Sequence, residues 1–164
     1  MDDRIRNAVE TDIAQVQHVA KASWNETYEG IIPMEIQEAF LRYAYSEDMM
    51  KKRMQTSCLL VAERGECIVG FINVSLPDEQ KEAELFAIYL LPDHQRVGIG
   101  KALLLAAIRH TPDARSLCVN VERDNFKGQR FYAKQGFEVI DEFDDDFDGH
   151  ILKTTRMVLR LPVE

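Results

Sequence analysis

Residues 84–110 read ELFAIYLLPDHQRVGIGKALLLAAIRH. An apolar run of strand character stops at Pro92, two glycines follow at Gly98 and Gly100, and a helical run begins at once. Proline cannot donate to a ladder and glycine tolerates left-handed backbone, so the strand must end and the chain must turn before the helix starts. Such a turn presents unpaired N–H groups backed by the positive end of a helix dipole, which makes it a site for an anion, phosphate above all. Any fold for this chain has to set that turn at the end of a strand.

The rest of the sequence arranges itself around this unit. Residues 3–9 alternate like a first strand, and from Thr11 the residues Ile13, Val16, Val19 and Ala20 recur at helical spacing. Pro33 can open a second helix whose apolar face is Ile36, Phe40, Leu41 and Ala44, and Ser46 followed by Glu47 and Asp48 starts a third. CLLVAERGECIVGFINVSL is a hairpin turning at Arg64, Gly65 and Glu66. After the helix ending at Thr111 and Pro112, SLCVNV reads as a buried strand, and Lys127 to Gln135 as a short helix stopped by Gly136. FEVIDEF and TTRMVLRL are two last strands flanking an acidic turn, DDDFDGH. This order predicts one continuous α/β (α+β) domain over residues 1–164, with helices on a mixed sheet.

Composition narrows the function. Over 164 residues the net charge is -8, which argues against general affinity for nucleic acid and would attract a cationic substrate. No apolar run reaches a membrane span and the N-terminus lacks a signal peptide's pattern, so a cytoplasmic location is expected. Cys58, Cys67 and Cys118 sit in apolar runs without a CxxC pair and are read as packing residues, and the four histidines show no ligand spacing. Asp144, Asp146, Asp148 and Gly149 imitate the start of a calcium loop, but Thr155 stands where its bidentate glutamate belongs. No metal is predicted. Serines without nucleophile-elbow glycines give hydrolase chemistry no support.

Two common phosphate motifs fail at the glycine turn. A P-loop needs a Ser or Thr after its lysine, and Ala102 follows Lys101; a dinucleotide fingerprint needs a third glycine where Leu103 stands. What fits is Gln95-x-x-Gly98-x-Gly100, preceded by ELFAIYLLPDHQ and followed by Asn125, Phe131-Tyr132 and Gly136-Phe137. With that spacing the chain resembles the GCN5-related N-acetyltransferases (GNAT), and more loosely their bacterial small-amine and polyamine members. Gly128 departs from the pattern, which commonly has Ala there.

The resemblance implies a mostly antiparallel sheet of about seven strands flanked by four to five helices. It implies acetyl-CoA as co-substrate, gripped at its pyrophosphate by Gln95, Arg96, Val97, Gly98, Ile99, Gly100 and Lys101, with Ile88, Tyr89 and Leu90 along the pantetheine and Asn125 and Tyr132 opposite. The activity implied is transfer of the acetyl group to a primary amine of a small molecule, by direct transfer in a ternary complex. A non-catalytic acyl-CoA-binding module and a protein or peptide N-acetyltransferase are the alternatives, and homodimer formation is left open.

The chemistry needs a proton acceptor for the amine, an N–H donor for the developing oxyanion, and an acid for the departing thiolate. Tyr132 is the candidate acid by resemblance, and a packing aromatic otherwise. Leu90 is the candidate oxyanion donor. Glu84 is the candidate base, four residues before Ile88 and so expected on the same strand face. Asn125 either bonds the pantetheine or caps its helix. For the acceptor, SWNETYEGIIP offers Trp24, Glu26, Tyr28 and Glu29, aromatic faces and carboxylates suited to an ammonium. Trp24 and Tyr28, four apart, would equally form a packed helix stripe.

Overall fold

The run CLLVA is apolar at every position because the strand carrying it is covered on both sides, as its burial pattern shows. A computed structural model describes residues 3–95, 98–147 and 149–162. In chain order the elements are β1 (Asp3–Asn7), α1 (Ile13–Tyr28), α2 (Met34–Ala44), α3 (Glu47–Thr56), β2 (Ser57–Arg64), β3 (Cys67–Ser75) and β4 (Glu82–Leu90). Then follow α4 (Ile99–His110), β5 (Ser116–Glu122), α5 (Phe126–Lys134), β6 (Glu138–Phe147) and β7 (His150–Arg160). Short 3-10 turns, Glu10–Asp12 and Pro92–His94, precede α1 and follow β4. All seven strands join one sheet in the order β1-β2-β3-β4-β5-β7-β6. Among the described residues, only β4 and β5 run parallel.

Two cores sandwich this sheet. On one face, Val16, Val19 and Ala20 of α1 with Met50 of α3 meet Leu59, Val61, Phe71 and Ala87. On the other, Leu103, Leu104, Ala106 and Ala107 of α4 with Tyr132 of α5 meet Leu60, Ala62, Ile72 and Leu85. Alternate residues of β2 thus feed alternate cores, which is what period-two geometry requires.

Local signals set the helix ends. The Ser46 hydroxyl accepts the Met49 amide at 3.2 Å, and Gly136, at φ 102°, follows α5. Pro33 stands one residue before α2, in extended backbone. Asp12 accepts the Val9 amide at 2.8 Å and takes the Arg6 guanidinium in a two-point pair at 2.7 and 3.0 Å.

Three expectations need correction. Cys67 is exposed at the start of β3, while Cys58 and Cys118 are buried as anticipated. The acidic segment is strand through Phe147, because β6 pairs residue by residue with β7 from Asp141 to Phe147 and Asp144 reaches Lys153 at 3.5 Å. Glu84 and Ile88 lie on opposite sheet faces. Asn73 pairs with Ala87 but Val74 with Leu85, so Phe86 is an extra residue, a bulge that exchanges the faces of β4 beyond it. Ala83 and Leu85 accordingly point to the α4 core, and Ala87 to the α1 core.

Candidate active site

The β4 bulge opens the sheet. Pairing of β4 to β5 ends at Glu84 and Cys118, and past it the two strands part around a cavity of about 830 Å³. Its wall takes Phe86 to Leu90 from β4 and Val119 to Val121 from β5, then Gln95, Gly98, Gly100 and Lys101 from the turn. Asn125, Lys127, Gly128, Phe131 and Tyr132 come from the α5 side, and Ser23, Thr27 and Tyr28 from α1. The Leu91 N–H bonds Val69 of β3 at 2.8 Å, so alternation turns the Leu90 N–H to the opposite edge, into the gap.

At the turn, Gly98 has φ 87°, and among the described residues no atom beyond its chain neighbours lies within 4 Å of where its Cβ would be. The position requires glycine for its left-handed backbone and leaves open space above. Among the described residues, the first bond of α4 runs from Ala102 to the Gly98 carbonyl, and the Ile99, Gly100 and Lys101 amides have no helical partner there. Ile99 itself is buried, so only its backbone serves the turn. The charged side chains of the cavity wall, among the described residues, are Lys101, Lys127, Arg130 and Lys134, all cationic and all on the turn or α5. An open, cation-rimmed row of amides fits a pyrophosphate, and a slot lined by strand edges fits the arm that follows it. Arg96 and Val97 lie outside the described residues.

On α5, the Asn125 side chain caps the helix by accepting the Gly128 amide at 2.9 Å. Tyr132 is 9% exposed, edge-on to Phe131 and Phe137, and burial pushes its phenol well above the ordinary tyrosine range. It therefore stays protonated at any ordinary pH, as a proton donor must.

The four acceptor candidates separate. Tyr28 lines the cavity, and burial raises its pKa well above normal. Trp24 does not offer a face to a ligand: it is 5% exposed, stacked on Phe40 and Phe147, and its indole N–H donates to the Tyr89 hydroxyl at 2.9 Å. Glu26 pairs with Lys127 at 3.3 Å outside the wall, and the same ammonium reaches the Gln95 side chain. Glu29 caps the end of α1, exposed and away from the wall. Glu84 is also outside it, with both oxygens on Arg156 at 2.9 and 3.1 Å while Arg156 holds Asn120 at 2.8 Å. Arg156 lies 72 residues along the chain, a partner that spacing could not announce.

Ser23, Thr27, Phe86, Asn120 and Lys127 line the cavity without having been singled out from sequence. The one signal for them was helical spacing, since Ser23 and Thr27 are four apart on α1.

Comparison with known proteins agrees with this geometry. Residues 19–137 match the acetyltransferase (GNAT) family. Spermidine N(1)-acetyltransferase of Thermoplasma acidophilum is 32% identical over 155 residues, 90% of this chain and 95% of that protein. The crystal structure of the PaiA N-acetyltransferase of Thermoplasma acidophilum in complex with coenzyme A superposes with a TM-score of 0.84 at 29% identity, covering 98% of this chain and 100% of that one. YncA of Salmonella typhimurium, crystallised with acetyl-CoA, shares the fold at a TM-score of 0.71 and 18% identity over 100% and 96% of the two chains. The glycine turn, the parted strands and these likenesses together place the chain in the GNAT family, as an acetyl-CoA-dependent N-acetyltransferase.

Proposed function

We propose that the chain acetylates a primary amine of a small molecule, a polyamine such as spermidine, by direct transfer while both reactants are bound. The observation that carries this reading is the 32% identity to a spermidine acetyltransferase across nearly the full length of both chains. The cavity supports it, because one opening is shared by a cationic end, at the turn and α5, and a neutral end formed by Ser23, Thr27, Tyr28 and Phe86. Phosphates belong at the first, and the acceptor at the second.

When bound, the coenzyme supplies an activated acetyl thioester. The amides of Ile99 to Lys101 hold its pyrophosphate, with Gln95, Gly98 and the Lys101 ammonium beside them, and the edges of Ile88, Tyr89 and Leu90 align the arm. The Leu90 N–H donates to the acetyl oxygen as that oxygen gains charge. Tyr132, kept neutral by burial, gives its proton to the departing sulfur and is reprotonated by the proton that the attacking nitrogen sheds as the amide forms. The amine is held between Tyr28 and the β4 bulge, so the two reactants meet without diffusing.

Following coenzyme A release with acetyl-CoA and a panel of polyamines, amino acid derivatives, aminoglycosides and peptides tests the reading. Turnover led by a polyamine supports it; turnover confined to peptides would transfer the activity to protein substrates.

A further inference from the structure

Two charges stand at the wrong ends of their helices. Lys127 is the second residue of α5, where the helix dipole disfavours a cation, and Glu26 lies in the last turn of α1, where it disfavours an anion. Helix stability explains neither placement. Each charge is answered by the other, since the Lys127 ammonium pairs with Glu26 Oε1 at 3.3 Å across 101 residues of chain. Among the described residues this is the one ion pair made by a charged side chain of the cavity wall; Lys101, Arg130 and Lys134 form none.

The pair belongs to a longer chain of contacts. Lys127 also donates to the Gln95 side-chain oxygen, and the Gln95 side-chain N–H donates to the Leu90 carbonyl at 3.4 Å. Leu90, Gln95 and Lys127 all line the cavity. Lys127 therefore reaches from α5 to the head of the glycine turn while holding α1 through Glu26. Glu26 adjoins Thr27 and is three residues from Ser23, both in the wall at the acceptor end, which puts its carboxylate at the rim of that end.

A pyrophosphate seated on the turn amides changes this balance. The Lys127 and Glu26 side chains are 47% and 43% exposed, and an ion pair so open to solvent holds weakly. A phosphate brings charge that the neutral Gln95 oxygen lacks, and its bonds to an ammonium are shorter and stronger. Once Lys127 turns to the phosphate, the Glu26 carboxylate loses its cation and faces added negative charge. A new cation is then favoured at the rim.

We infer that Lys127 and Glu26 form a charge exchange: coenzyme binding draws Lys127 onto the pyrophosphate, and the Glu26 carboxylate it releases takes a second ammonium of the acceptor, whose other nitrogen is acetylated. Lys127 thereby makes acceptor binding follow coenzyme binding, and Glu26 selects amines that carry two cationic nitrogens. The role of Glu26 rests on the polyamine reading, whereas the exchange at Lys127 concerns the coenzyme alone.

The experiment measures coenzyme A and spermidine affinities by calorimetry, each ligand alone and with the other saturating, for the wild type, Glu26→Gln, Lys127→Met, the double variant and Glu29→Gln. Glu26→Gln frees Lys127 and should tighten coenzyme A binding by about threefold, the worth of an exposed pair. Lys127→Met should weaken it by about tenfold, as a charged contact is lost, and the double variant should match Lys127→Met. Glu29→Gln, an equal loss of charge at an exposed residue outside the ion pairs, should give less than Glu26→Gln. In the wild type, coenzyme A should raise spermidine affinity by about tenfold. Both single variants lose that coupling, Lys127→Met by binding spermidine well without coenzyme and Glu26→Gln by binding it poorly with it. Steady-state kinetics should show Glu26→Gln raising the KM of spermidine about tenfold relative to that of butylamine, which has no second ammonium.

Unchanged coenzyme A affinity in Glu26→Gln overturns the exchange, and so does a gain that persists in the double variant or a coupling that survives Lys127→Met. Spermidine acetylated by Glu26→Gln at the wild-type KM ratio removes Glu26 from the acceptor site. Spermidine neither bound nor acetylated in the presence of coenzyme sinks the polyamine reading and the amine role of Glu26 together, and the coenzyme A affinities then decide the exchange by themselves.

Discussion

Gly128 lies so close under the Asn125 side chain that a Cβ there would meet Nδ2 at 2.7 Å and Oδ1 at 3.1 Å. Gly128→Ala therefore sets two effects of similar size against each other: about 1 kcal/mol gained in helix propensity and about 1 kcal/mol lost as Asn125 is pushed from its cap. Thermal unfolding should show little change. The acceptor KM should nevertheless rise and kcat/KM fall by about tenfold, a 1.4 kcal/mol loss of positioning, as Asn125 shifts in the cavity wall. Steady-state kinetics beside a melting curve checks both halves.

Gly98 makes the opposite argument, since among the described residues nothing beyond its chain neighbours crowds the position and the backbone, at φ 87°, constrains the residue. Gly98→Asn should hold acetyl-CoA better than Gly98→Ala, and Gly98→Val should hold it worst, because asparagine tolerates left-handed backbone and a β-branched residue does not. Losses of about 1–2 kcal/mol in coenzyme affinity are expected for alanine, read by calorimetry. Equal affinity across the series would mean that the turn does not bind in this conformation.

Much of this site could be read from side-chain types at fixed spacing. The glycine turn, Asn125 and Tyr132 each sit a set number of residues from the next, and the sheet gathers them around one cavity. The bulge at Phe86 left no mark, because one surplus apolar residue in ELFAIYLL looks like its neighbours, yet it reverses where Glu84 points. Trp24 could not be assigned from its own helix either: Phe147, more than a hundred residues away, helps bury it.

Tyr132→Phe should lower turnover by about 100-fold or more while acetyl-CoA still binds, since the change removes one proton donor and keeps the ring against Phe131 and Phe137. Because the Tyr132 phenol titrates far above its usual range, it should add no alkaline limb to the wild-type pH profile in the range where the protein is folded. Stopped-flow thiol detection with calorimetry for the coenzyme separates the two effects.

Glu84→Gln breaks the two-point contact with Arg156, whose side chains are 32% and 29% exposed. A loss of about 1 kcal/mol in stability is expected, in line with a solvent-screened but bidentate pair. The low-pH limb of the rate profile should keep its position, because Glu84 lies outside the cavity wall with both oxygens on Arg156. Displacement of that limb would return the base role to Glu84.

Asp12, held below the usual carboxylate range chiefly by the Arg6 guanidinium, makes stability pH-dependent. Its folded pKa is depressed, so its contribution is complete above the unfolded value of about 4 and is lost as pH falls toward the folded one. Asp12→Ala should therefore cost about 2 kcal/mol at pH 7, as hydrogen bonds to a charged group are removed, and progressively less below pH 4. Urea unfolding of both proteins across that range measures the difference.

The central claim is acetyl transfer to a small amine, and the direct measurement incubates the purified chain with acetyl-CoA and spermidine while coenzyme A release and the amine are followed together, the latter by mass spectrometry. Mono-acetylated spermidine accumulating in step with free coenzyme A is the predicted result. Coenzyme release no faster than in the absence of amine, for spermidine and for every other small primary amine tried, would contradict it.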